Sequence, residues 1–99
     1  MTLDEYMNWQ PTYAAYVKKK FNDKDAKAQS ILEMVSEAGE VLELLTKANR
    51  KGKEIDREKI IDEIGDTFWG VAGVLNTFGI TFQEMIDFNY SKLEERNKE

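Results

Sequence analysis

The stretch "REKIIDEIGDTFWGVAGVLNT", residues 57–77, decides the fold. Ile60, Ile64, Phe68, Val71 and Leu75 recur at three- and four-residue steps, the period of an α-helix, and Phe78 continues the stripe. Trp69, Ala72 and Val74 widen it. A helix apolar over so much of its circumference is one that other elements surround. The segment therefore predicts the central rod of an all-α chain, a four-helix bundle-like protomer. Its apolar surface extends too far round for a thin monomer to cover, so dimerisation is expected to complete the bundle.

Working outward, the first predicted helix runs from about Leu3 to Phe21, with Thr2 and Glu5 at capping-box spacing. Pro11 predicts a kink or break after Gln10. "FNDKDAKA", residues 21–28, reads as a polar connection. The second helix spans about Ala28 to Asn49, with Ile31, Val35, Ala38, Leu42 and Leu45 as its apolar stripe. A basic loop centred on Gly52 follows, and Asp56 is placed to cap the central helix. Gly79 fits a C-terminal stop, and "TFQE", residues 81–84, is a second capping box. The last helix reaches about Arg96, with Phe82, Met85, Ile86, Asn89 and Leu93 expected to point inward.

Ninety-nine residues are read as a single domain over 1–99, and a chain this short buries only about 60–65% of the surface it exposes when unfolded. The net charge of −5 argues against nucleic acid as a partner, because phosphate binding needs basic surface. No apolar run approaches the roughly 20 residues of a membrane span, and "MTLDEYMNWQ" has no signal-peptide pattern, so no membrane partner and a cytoplasmic location are expected. Cysteine and histidine are both absent. Thiolate sites, imidazole–zinc sites and histidine general bases are excluded together. Any metal must be held by oxygen, which suits magnesium, manganese or calcium.

Oxygen ligands are present in a pattern. "SEAGEVLE", residues 36–43, carries Glu37 and Glu40, and "IDEIGDTF", residues 61–68, carries Glu63 and Asp66. Each pair shares one helical face, and none of the residues three or four positions onward is basic. Gly70 and Gly73, at a cost of about 1 kcal/mol each against alanine, indicate either a ligand or a neighbouring helix in close approach. If the two helices lie antiparallel, the four carboxylates converge. Two like charges about 4 Å apart repel by about 4 kcal/mol at an effective dielectric of about 20. A hard dication answers that repulsion, with magnesium favoured and manganese the alternative.

These residues resemble the MazG-like all-α nucleoside triphosphate pyrophosphohydrolases. The family signature, Glu-x-x-Glu followed after a spacer by Glu-x-x-Asp, appears as Glu37-Ala-Gly-Glu40, 22 residues, and Glu63-Ile-Gly-Asp66. "EAGEVLELL", "DREKIIDEIGDTFW", "GITFQEM" and "NYSKLEER" look like family segments in family order, over about residues 28–97. The resemblance implies magnesium-dependent hydrolysis of a (deoxy)nucleoside triphosphate to the monophosphate and pyrophosphate, by a homodimer or dimer of dimers. It implies Glu37, Glu40, Glu63 and Asp66 as metal ligands, Glu37 or Glu40 as general base, and Asn89, Lys92 and Arg96 on the phosphates. Many members carry a tyrosine four residues after the aspartate, where this chain has Gly70; Trp69 and Trp9 are the aromatic candidates for the nucleoside. The rival reading is a catalytically silent helical module kept for dimerisation or regulation.

Overall fold

Helix α4 (Arg57–Phe78) is the axis on which the rest packs. Asp56 Oδ1 accepts from the Glu58 N–H at 2.9 Å to start it. It ends at Gly79, whose φ of +68° only glycine adopts without strain, with the Ile80 N–H returning to the Leu75 carbonyl. The computed structural model describes residues 1–98 and orders them as α1 (Leu3–Tyr13), α2 (Ala15–Lys18), α3 (Asp23–Lys51), α4 and α5 (Phe82–Asn97). The fold is all-α.

Two helix boundaries differ from the sequence reading. "FNDKDAKA" is mostly helix, because Asn22 caps α3 by accepting from the Asp25 N–H at 2.8 Å. Asp23 and Asp25 then lie in a first turn whose free N–H groups favour acids, and Asp23 pairs with Lys27 at 2.9 Å. The predicted first helix is two helices, and it breaks at Ala14, not after Gln10. Pro11 lacks the N–H that would bond the Met7 carbonyl. Asn76 of α4 supplies the missing donor, its Nδ2 lying 3.0 Å from that oxygen, so α1 continues past the proline.

The same asparagine belongs to a buried polar pin between α1, α2 and α4. Gln10, fully buried, accepts from Asn76 Nδ2 at 3.1 Å and donates to the Tyr16 hydroxyl at 3.2 Å. Tyr16 in turn donates to the Gly73 carbonyl at 3.4 Å. A methyl group at Gly73 would stand 3.0 Å from Gln10 Nε2 and 3.1 Å from the Tyr16 hydroxyl. Gly73 is thus explained by this packing, and no ligand is needed to account for it.

Gly70 has the sharper reason. A Cβ there would lie 2.6 Å from the Met34 Cα, so the backbones of α3 and α4 touch at this crossing. The face of α3 turned to α4 carries Ser30, Glu33, Met34, Glu37, Val41 and Leu44, all buried or half-buried. This reverses the ordinary amphipathic arrangement. Val35 and Leu42, in the predicted apolar stripe, are 60% and 63% exposed. The stripe exists as read, but the described residues leave it largely uncovered.

Helix α5 is similarly unpartnered. Phe82 and Met85 pack beside the core of Met7, Ala72 and Leu75, while every residue from Ile86 to Lys98 is exposed. The expected inward face therefore holds for the first turn only; Ile86, Asn89 and Leu93 stay outside. Beyond that first turn, α5 buries no residue against another helix among the described residues.

The Gly70 crossing yields a stability prediction. Gly70→Ala must push α3 and α4 apart, and the variant should lose about 1–3 kcal/mol, as overpacked sites do. Denaturant unfolding measures this. Unchanged stability would mean that the two backbones are not in contact.

Candidate metal centre

Helices α3 and α4 run back alongside each other from the Gly52 turn, where the Lys53 N–H bonds the Ala48 carbonyl at 2.9 Å. One to two turns from the Gly70–Met34 contact, toward that turn, α3 presents Glu37 and Glu40 and α4 presents Glu63 and Asp66. One carboxylate oxygen from each of the four lies within 4.8 Å of all the others. The close crossing is what makes this possible: two helices separated by large side chains would hold these short acids further apart.

Nothing basic answers the cluster. The ion pair found among the described residues is Lys27–Asp23, at the far end of α3. Glu63 Oε2 is shielded from solvent and has no hydrogen-bond partner. A carboxylate oxygen cut off from water and donor alike is costly unless a cation meets it. The donor set is all oxygen, acidic and drawn from two helices, which fits a hard dication. Glu37, Glu40, Glu63 and Asp66 are therefore the residues that would hold one.

The electrostatics show the repulsion directly. Glu37 holds its proton more tightly than an ordinary glutamate, first because it is partly desolvated and then because Glu40 and Asp66 are close. Glu63 is also raised, chiefly by the neighbouring Glu40 side chain, with desolvation and the charges of Glu40, Asp62 and Asp66 adding to it. Glu33 extends the acidic face by a turn and accepts from Gln29 Nε2 at 3.3 Å.

An aromatic wall stands beside the acids. Tyr6 of α1 packs on Phe68 at 5.2 Å and on Trp9 at 5.6 Å between ring centroids, and Trp69 meets Trp9 edge-on at 5.3 Å. Burial raises the Tyr6 hydroxyl pKa, and the charge of Asp66 raises it further. Tyr6 has little signature in the sequence. Its only signal was a place in the family-like start "MTLDEY", since no spacing links residue 6 to residue 66. Gly70 does not open the wall: that position points into α3, where a tyrosine has no room. Trp69 is half-buried in the aromatic cluster.

Asn89, Lys92 and Arg96 are not brought to the carboxylates within one chain. They occupy the exposed length of α5, beyond the C-terminal end of α4, whereas Glu63 and Asp66 lie in its N-terminal half.

The raised carboxylates fix a pH dependence for the metal-free chain. A group whose pKa is higher folded than unfolded contributes stability at low pH and loses it as pH rises through the folded value. Metal-free protein should accordingly melt at lower temperature once pH passes above the ordinary carboxylate range. Magnesium should raise the neutral-pH melting temperature, and Glu63→Gln should weaken both effects. Thermal melts across pH, with and without the ion, check this; a melting temperature indifferent to pH and magnesium would contradict it.

A family model of the MazG nucleotide pyrophosphohydrolase domain matches residues 26–99, about three quarters of the chain. No curated protein and no solved structure matches it. The matched span contains α4, α5, all but the first turn of α3 and all four carboxylates, while α1 and α2 lie ahead of it. With a match of this extent over the acidic hairpin, the chain belongs to the MazG nucleotide pyrophosphohydrolase family.

Proposed function

We propose that the chain, acting as one catalytic domain, hydrolyses (deoxy)nucleoside triphosphates to the monophosphate and pyrophosphate. The observation that carries this reading is the convergence of four carboxylates with a solvent-shielded, unpartnered Glu63 oxygen among them, in a chain of this family. Glu37, Glu40, Glu63 and Asp66 would hold magnesium, or manganese in its place, which would supply the positive charge that offsets both the cluster and the substrate's phosphate oxygens. Glu37 or Glu40 accepts the proton of the water that attacks the α phosphorus. The bond from that phosphorus to the bridging oxygen breaks, and pyrophosphate leaves with the bonding pair. Tyr6 and Trp69 offer aromatic surface beside Asp66 on which a nucleoside can rest.

A second copy of the chain completes this arrangement. Ile31, Val35, Leu42 and Leu45 on α3, and Ile61 and Ile64 on α4, remain substantially exposed in one chain. Burying one such side chain is worth about 1.5–3 kcal/mol, so covering them together outweighs the loss of freedom on association. The free length of α5 can then reach a neighbouring chain, carrying Asn89, Lys92 and Arg96 toward that chain's carboxylates and the phosphates bound there.

Glu40→Gln and Asp66→Asn should each lower turnover by about 100-fold or more, read as release of monophosphate and pyrophosphate with folding verified. Wild-type rates in both would remove the proposed site. A wild-type chain inert toward a panel of nucleoside triphosphates with magnesium would leave the silent module instead.

Leu42→Asp should convert the assembly to monomers in light scattering and abolish turnover with it. Mixing Asp66→Asn chains with Lys92→Ala/Arg96→Ala chains should restore activity that neither has alone. Mixtures as inactive as their components would mean that α5 does not serve a neighbour.

A further inference from the structure

The turn between α3 and α4 has chemistry that the carboxylate cluster does not use. From Lys47 to Lys59 the chain holds Lys47, Arg50, Lys51, Lys53, Arg57 and Lys59 against Glu54, Asp56 and Glu58, a net positive stretch in a chain of net charge −5. Four of these cations, Lys47, Lys51, Lys53 and Lys59, line one cavity of about 390 Å³, within the range of small-molecule sites. Its acids are Glu54 and Asp56, and Asp56 is committed to capping α4 through its 2.9 Å bond from the Glu58 N–H. Among the described residues none of the four lysines forms an ion pair. The positive end of the 22-residue α4 opens at the same place.

The cavity also continues the seam that holds the acids. Leu44, in its wall, follows Glu40 by one turn, and Lys59 precedes Glu63 by one turn, about 6 Å along the helix. We propose that it is an anion site for a short oligophosphate, either the far end of the substrate's triphosphate or the pyrophosphate released from it. This assignment rests on the reading of the chain as a pyrophosphohydrolase. The choice of a short anion follows from charge and shape. Lysine ammonium groups gather on phosphate oxygens as mobile point charges, while the acidic lengths of α3 and α4 beyond the turn repel an extended polyanion such as a nucleic acid.

The test separates this site from the catalytic reading by using inorganic pyrophosphate as the probe without divalent metal. Isothermal titration into Glu40→Gln/Asp66→Asn protein should show binding that Lys51→Glu/Lys53→Glu weakens by at least about tenfold, the equivalent of one charge-assisted contact. Lys19→Glu/Lys24→Glu, the same change of charge just after α2 and in the first turn of α3, should leave it within about twofold, an effect of long-range charge alone. In the active chain, Lys51→Glu/Lys53→Glu should raise the KM for triphosphate if the tail occupies the site, or the inhibition constant of pyrophosphate if the product does. Absence of pyrophosphate binding, equal loss in the two charge-reversal pairs, or citrate binding as tightly as pyrophosphate would each overturn the proposal. An inactive wild-type chain that still binds pyrophosphate through Lys51 and Lys53 would defeat the catalytic reading and leave the anion site standing.

Discussion

The contact on which the structure depends is the near-touching of two backbones, Gly70 against Met34. Helices that meet through large side chains leave about 8–10 Å between their axes. A glycine at the crossing removes that spacer, and carboxylates one to two turns away are drawn within 4.8 Å of one another. The chain thus combines an unfavourable element, like charges at close range, with a packing contact that leaves them little freedom to separate. Such tension is characteristic of a site formed for a cation, since the repulsion that weakens the apo fold becomes attraction once positive charge enters.

That arrangement also explains the reversed amphipathicity of α3. A helix that turns its acids toward its neighbour must turn Val35 and Leu42 toward solvent, because the two faces lie opposite each other. The apolar stripe is then the outer surface of the acidic hairpin. The acidic cluster and the uncovered apolar stripe are two consequences of one geometric choice: the more completely α3 commits its acids to α4, the more apolar surface it leaves exposed.

Much of this was legible in the residues. The α4 boundaries, the Asp56 cap, the Thr81–Glu84 box and the Gly79 stop are all local signals, and each acts within a few positions of itself. The acidic pairs were legible because their spacing is local too. The Asn22 cap of α3 was also local, but the charged run after it was read as loop when its acids belong to a first helical turn. What escaped the sequence was long-range. Pro11 predicted a break after Gln10, and only Asn76, sixty-nine positions from the carbonyl it bonds, allows α1 to continue. Periodicity showed that α3 has an apolar stripe without showing what faces it. Tyr6 approaches Asp66 for the same kind of reason, through the docking of α1 on α4.

Gly70 shows how one position can take a different role when its surroundings change. A tyrosine there would require α3 to stand away from α4, loosening the carboxylates as it supplied an aromatic wall. With glycine the helices close, and the ring comes from α1 instead, as Tyr6 beside Phe68 and Trp69. The aromatic surface beside the acids is thus mounted on a helix held by the Gln10–Tyr16–Asn76 pin, not on the central one. Nucleoside fit would then depend on how firmly α1 is docked. The buried polar pin is thereby linked to the candidate site, because loosening it shifts Tyr6 while the four acids on the α3–α4 hairpin stay together.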